Sequence, residues 1–156
     1  MKLSDWLDSG DLQREPASRE EIARLLGIAD RDLADAAASG ISLDRQFAIA
    51  YDAALMLSTA ALRAAGYRVR GSSSAHHWLT FALLPEIMGP EAEARSRYYQ
   101  ACRRRRHQAM YERVGVATET ELRELVQEVK AFRKEVVGWL REHHAALAPR
   151  TQGESC

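Results

Sequence analysis

A chain of 156 residues that is 46% hydrophobic and 28% charged suits one soluble domain, long enough to bury a core without disulfide or metal staples. Its 22 basic and 22 acidic residues cancel, which excludes binding of a polyanion by bulk charge and leaves that role to a local patch. Cys102 and Cys156 make neither a disulfide framework nor a metal-ligand spacing, so no metal and no cofactor is expected.

Met1–Gly10 lacks the apolar run of a signal peptide. The longest apolar region, 47–62, is interrupted by Asp52, Ser58 and Thr59, so no membrane span is expected and the chain reads as cytosolic. Residues 1–17 read as a short helix, stopped by Gly10, and a polar linker. A bundle is expected over 18–148, and a disordered tail over 149–156.

Within the bundle, Ser18-Arg-Glu-Glu21 has the form of a capping box, in which the serine caps backbone N–H groups and the glutamate reaches back. The helix it starts should run to about residue 39. Residues 43–65 are apolar or alanine on most faces, which predicts the most buried helix. YRVRGSSS then reads as a loop, and a helix over roughly 74–84 carries Trp78, Phe81 and Leu84. Gly89-Pro90 is a stop followed by a proline suited to a first turn, which predicts a helix to about Val114. Thr118-Glu-Thr-Glu121 is a second capping box, opening a long helix with a packing stripe from Leu122 through His143 to Leu147. Strand alternation is not convincing anywhere. The expectation is an all-α antiparallel bundle of about five helices.

Three stretches could carry chemistry. SREEIARLLGIADRDLADAAA can be read as a helix-turn-helix, but its second helix would bring Asp30, Asp32 and Asp35 against DNA phosphates, opposing the dominant attraction. One continuous helix that tolerates Gly27 at roughly 1 kcal/mol fits better. His76-His77 follows three serines. Adjacent helical residues do not share a face, so the two cannot chelate one ion, and a serine nucleophile would need a base fixed by a third group. Serines capping a helix, with the histidines in its first turn, is the simpler reading.

The third stretch, CRRRRHQAMYER, lies in a segment with seven arginines and one acid between Arg95 and Arg113. A solvated basic face would account for it. Yet residues step by about 100° round a helix, so Arg103, Arg104, Arg105 and Arg106 point four ways. Tyr98, Cys102 and Ala109 mark a packing side flanked by Arg105 and Arg106. Arginine cannot shed its charge, so one held at that side needs a carboxylate or an anion in a cleft. His107 and Tyr111, four apart, add two hydrogen-bonding groups.

Here the chain resembles the HEPN domains, nucleotide-binding helical bundles of higher eukaryotes and prokaryotes. The likeness covers roughly residues 19–145 and rests on the helix order, RQFAIAYDAALMLSTAALRAAGYR, GSSSAHHWLT, and the arginine late in the penultimate helix. Active members carry arginine, a polar residue, three variable residues, then histidine. Arg106-His107-Gln108-Ala109-Met110-Tyr111 matches the arginine, offers His107 as the polar residue, and has Tyr111 in place of the histidine. The resemblance implies a metal-independent ribonuclease in active members, often a toxin paired with a nucleotidyltransferase-like antitoxin, with a site shared between two protomers. A phenol titrates near ~10 and an imidazole near ~6.5, so this chain is expected to bind RNA or a nucleotide as a homodimer, with weak or lost activity. Arg106, His107 and Tyr111 are the expected catalytic residues, and Arg103 to Arg106 the nucleic-acid ligands. The alternative is a non-enzymatic module whose bundle face binds a protein.

Overall fold

A computed structural model describes residues 2–71 and 73–150, without the side chains of Ser73 and Ser74. The serine cap expected at Ser72–Ser74 and the tail beyond Arg150 therefore lie outside the described residues.

The chain is an all-α bundle built round one central helix. In order it forms α1 (Leu3–Ser9), β1 (Leu12–Arg14), α2 (Arg19–Ala36), α3 (Leu43–Ala64), β2 (Tyr67–Val69), α4 (Ser73–Ala82), α5 (Leu84–Met88), a 3₁₀ turn (Pro90–Ala92), α6 (Glu93–His107), a π turn (Gln108–Glu112) and α7 (Glu119–His143). The long apolar helix is α3. Its alanines 50, 53, 54, 60, 61 and 64 are buried, and these small side chains let α2, α4, α6 and α7 all pack against it. By length and composition α3 could cross a membrane, but most of that window lies buried inside the bundle. Its neighbours contribute Ile22, Leu26 and Ala29 from α2, Phe81 from α4, Tyr99 from α6, and Leu125, Val129, Phe132, Val136 and Leu140 from α7. Each such large apolar side chain is worth roughly 1.5–3 kcal/mol when fully buried.

Several expectations need correction. The linker and the loop pair as a two-stranded antiparallel ribbon, with Leu12 opposite Val69 and Arg14 opposite Tyr67. Leu12 and Val69 turn inward onto Leu62, Leu79 and Leu83, a second small core. Three-residue strands are too short for period-two alternation to register. The helix after Ser18 ends at Ala36, not residue 39, but it is continuous through Gly27, as the simpler reading of that stretch expected. Ser18 Oγ accepts from the Glu21 N–H at 3.1 Å, whereas the Glu21 carboxylate turns away to Arg63. The box at Thr118 and Glu121 is complete in both directions. Along α7 the buried stripe ends at Leu140 and His143 is exposed, while Leu147 packs on the core from beyond the helix end.

Two buried charges tie loops to α3. Arg63, 2% exposed, holds Glu21 with two hydrogen bonds and donates to the carbonyls of Glu15, Pro16 and Tyr67. That one guanidinium joins α2, the segment before it and the ribbon. Asp44, in the first turn of α3, accepts from the N–H groups of Gly115 and Ala117 at 2.7 and 2.8 Å. Those bonds hold its carboxyl below the usual carboxylate range. Gly115 takes φ +78° to present its N–H, a conformation that a side chain would strain. The connection from α6 to α7 is thereby fixed.

Candidate anion-binding site

The arginine run is oriented by the buried side of α6. Ser96 Oγ donates to the Phe81 carbonyl at 2.7 Å. Tyr99 is fully buried, with Phe81 and Phe132 ring centroids 5.3 and 5.5 Å from its own, and Cys102 follows at 5% exposure. Tyr99, rather than its neighbour Tyr98, is thus the aromatic anchor of this side. Arg103 and Arg106 stand one turn beyond Tyr99 and Cys102, so they continue the packed stripe. The α-helix passes at His107 into the π turn, which carries helical backbone to Glu112 before Arg113 turns extended, two residues short of the expected end near Val114.

The four arginines divide sharply. Arg104 is exposed. Arg105 is a structural tie: Nε and Nη2 bind the two Glu121 oxygens at 2.8 and 2.9 Å, and Nη2 also donates to the Val116 carbonyl at 2.9 Å. This pairing holds the Glu121 carboxyl below its ordinary range. Arg103 donates through Nε to Gln100 Oε1 at 3.1 Å. Arg106 turns inward, its Cζ 5.3 Å from the centre of the Tyr51 ring, a cation–π distance. Its nearest carboxylate oxygen, Asp52 Oδ1, is 3.7 Å from Nε, beyond hydrogen-bond length, and that Nε is buried without a partner.

Around Arg106 gather residues distant in sequence. Tyr51 and Asp52 come from α3, and His77 comes from the first turns of α4. The Tyr51 hydroxyl and His77 Nδ1 are 3.1 Å apart. Burial raises the Tyr51 phenol far above its usual range, with Arg106 and Arg103 acting against it. Burial also raises the Asp52 carboxyl, which the Arg106 charge partly opposes. For His77, burial and the two guanidiniums all favour the neutral ring.

His107 and Tyr111 sit together as their spacing suggests, ring centroids 5.1 Å apart, but on the outside. Tyr111 is 71% exposed, and His107 Nε2 lies 3.8 Å from Glu112 Oε1. No hydrogen bond or ring contact joins either to Arg106. Sequence reading set both Arg105 and Arg106 beside the packing side, of which Arg106 turns inward and Arg105 is tied to Glu121; it missed Tyr51, Asp52 and His77. Tyr51 is hidden in an alanine-rich core helix, and nothing in the spacing of the His76-His77 pair pointed at residue 106. Among the described residues no three His, Cys, Asp or Glu side chains gather as a metal site. Compared with protein families, curated proteins and solved structures, the chain finds no match.

Proposed function

We propose that this bundle binds a phosphate-bearing ligand, RNA or a nucleotide, through Arg103 and Arg106, with exposed Arg104 adding charge at the rim. One observation carries the reading. Arg63, Arg95, Arg105 and Arg133 each hydrogen-bond a carboxylate, whereas half-buried Arg106 bonds none and keeps its terminal nitrogens free of hydrogen bonds to described residues. Its Nε is withdrawn from water with no hydrogen-bond acceptor, an arrangement that costs stability, and a phosphate oxygen at its terminal nitrogens would add charge-assisted bonds that Asp52, at 3.7 Å, does not make. The likeness to HEPN domains points the same way.

Nuclease activity is weak or absent on this reading, because His107 and Tyr111 face solvent away from Arg106. The homodimer and the nucleotidyltransferase-like antitoxin that the likeness implies belong to the same proposal. A partner of either kind would cover Tyr111 and Val114, the latter 96% exposed. Those two side chains also favour a second reading, a module that docks a protein through this segment with no nucleic acid involved.

Binding of a short oligoribonucleotide across a salt series decides between them. Single-strand contacts to two or three phosphates give a log–log slope of roughly −1.4 to −2. Arg103→Glu with Arg104→Glu should weaken binding strongly and flatten that slope without unfolding the chain. Unchanged binding in the double variant would place the site elsewhere.

A further inference from the structure

His77 lies outside the arginine-rich helix, yet its ring is tied to the same platform as Arg106. The Tyr51 ring has Arg106 Cζ 5.3 Å from its centre and the His77 ring centroid at 5.9 Å. Tyr51 is fully buried, and a buried hydroxyl places its proton on an acceptor. Among the described residues its hydroxyl has His77 Nδ1 as hydrogen-bond partner. Were Nδ1 to carry the hydrogen, it would donate to the phenol oxygen, and the phenolic proton, turned away, would have no acceptor among the described residues. The phenol therefore donates to Nδ1, and a neutral imidazole keeps its single proton on Nε2.

That Nε2–H has no hydrogen-bond partner among the described residues. It is a third free donor, after the terminal nitrogens of Arg106 and Arg103, and it comes from a different helix. We propose that His77 is a phosphate ligand of the Arg103–Arg106 site, donating through Nε2–H as an uncharged imidazole whose tautomer is fixed by Tyr51. Tyr51 is then a positioning residue. The inference rests on the phosphate-binding reading and adds to it a donor that needs no protonation.

The charged and titratable groups round His77 agree with this. They are Tyr51 from α3, Arg103 and Arg106 from α6, and His76 on α4 itself, while Asp52 stands beside Arg106. A protonated ring would stand beside two guanidiniums, so the cationic form that many phosphate-binding histidines adopt is disfavoured. Affinity for a phosphodiester, which does not titrate near neutrality, should stay level between pH 8 and pH 6.

The test uses the full chain with two probes: inorganic phosphate, and a short oligoribonucleotide lacking a terminal phosphate. Binding of both probes assigns the shared chemistry to any phosphate; binding of the oligonucleotide alone assigns it to the nucleic-acid backbone. His77→Leu should weaken binding about tenfold, the effect of one hydrogen bond to a charged group. His77→Gln returns an N–H donor and should recover most of that loss, which a purely structural role for His77 would not predict. Long-range ¹⁵N–¹H spectra of the unliganded wild type should show the His77 proton on Nε2, and this readout needs no variant to fold. A proton on Nδ1, or wild-type affinity in His77→Leu, overturns the inference. If Arg106→Ala abolishes binding while His77→Leu does not, His77 alone is wrongly assigned. If Arg106→Ala also binds normally, the phosphate reading falls with it.

Discussion

Replacing Arg63 by methionine keeps most of the side-chain stem and removes its donors. In the folded chain that guanidinium is 2% exposed. It makes two hydrogen bonds to Glu21, at 2.6 and 3.2 Å, and three to the carbonyls of Glu15, Tyr67 and Pro16, at 2.8, 2.9 and 3.1 Å. Removing one partner of a buried ion pair costs roughly 3–5 kcal/mol, because the survivor keeps its desolvation penalty. The Glu21 side chain retains 18% exposure and can recover some water, which argues for the lower part of that range. The three carbonyls lose charged donors and pull the other way. A loss of about 3–4 kcal/mol is therefore expected, a large share of the roughly 5–15 kcal/mol that a domain possesses. With a urea m-value of about 2 kcal/mol/M, the unfolding midpoint should fall by about 2 M, read by far-UV circular dichroism. Pairing Arg63→Met with Glu21→Met should restore part of the loss, since no orphaned carboxylate remains. A shift below about 0.5 M in the single variant would refute the view that Arg63 clamps the ribbon to α2.

Three further outcomes can be checked. Arg105→Ala should lower the thermal midpoint and leave oligoribonucleotide affinity nearly intact in the folded fraction, whereas Arg106→Ala should do the reverse; equal behaviour in calorimetry and binding would erase the division between them. Burial lowers the pKa of His76, His77 and His144, so below ~6.5 the unfolded chain binds more protons than the folded one. Stability should hold above that pH and decline as acid is added. A second loss follows below the ordinary carboxylate range as Glu21, Asp44 and Glu121, all depressed by their partners, take up protons. Burial of Asp52 opposes this trend, and a urea midpoint constant from pH 8 to 4 would contradict the assignment. Finally, RNA incubated with EDTA and wild-type protein should be cleaved slowly or not at all. Tyr111→His should change that little, because the position faces solvent; cleavage raised a hundredfold would mean that residue 111 reaches the site.

What could be read from the sequence depended on the range of the interactions involved. Ser18, Ser42 and Thr118 each cap a helix through an N–H three residues on, a contact within one turn, and two of these three starts carried a capping-box pattern. The alanine content of 43–65 exposed the central helix for the same local reason. The ribbon was illegible because each strand is three residues long and its partner lies more than fifty positions away. Arg63 looked like one charged residue in an apolar helix, since its acceptors come from 15, 16, 21 and 67. At the site, turn-by-turn geometry narrowed the choice to Arg105 and Arg106, and the likeness to HEPN domains chose Arg106 between them. Such geometry could not tell that Arg105 is spent on Glu121, nor that Tyr51 and His77 approach from two other helices, because tertiary packing alone decides those meetings.

The ribbon also has a bearing on how the chain reaches and leaves its native state. Helices α2 and α3 are joined by six residues, 37–42, and pack along one another, so their docking closes a short loop at little entropic cost. Pairing Leu12 with Val69 spans a separation nearly ten times longer for only a few hydrogen bonds, and Arg63 takes the Glu15 and Pro16 carbonyls from that distant segment, whereas Tyr67 is only four residues away. Such contacts are expected to form after the rate-limiting step. Substitutions in the ribbon, such as Leu12→Ala or Val69→Ala, should then quicken unfolding while leaving the refolding rate nearly untouched. On that expectation the N-terminal segment is a latch fastened last, and it bears on the lifetime of the closed bundle more than on its speed of assembly.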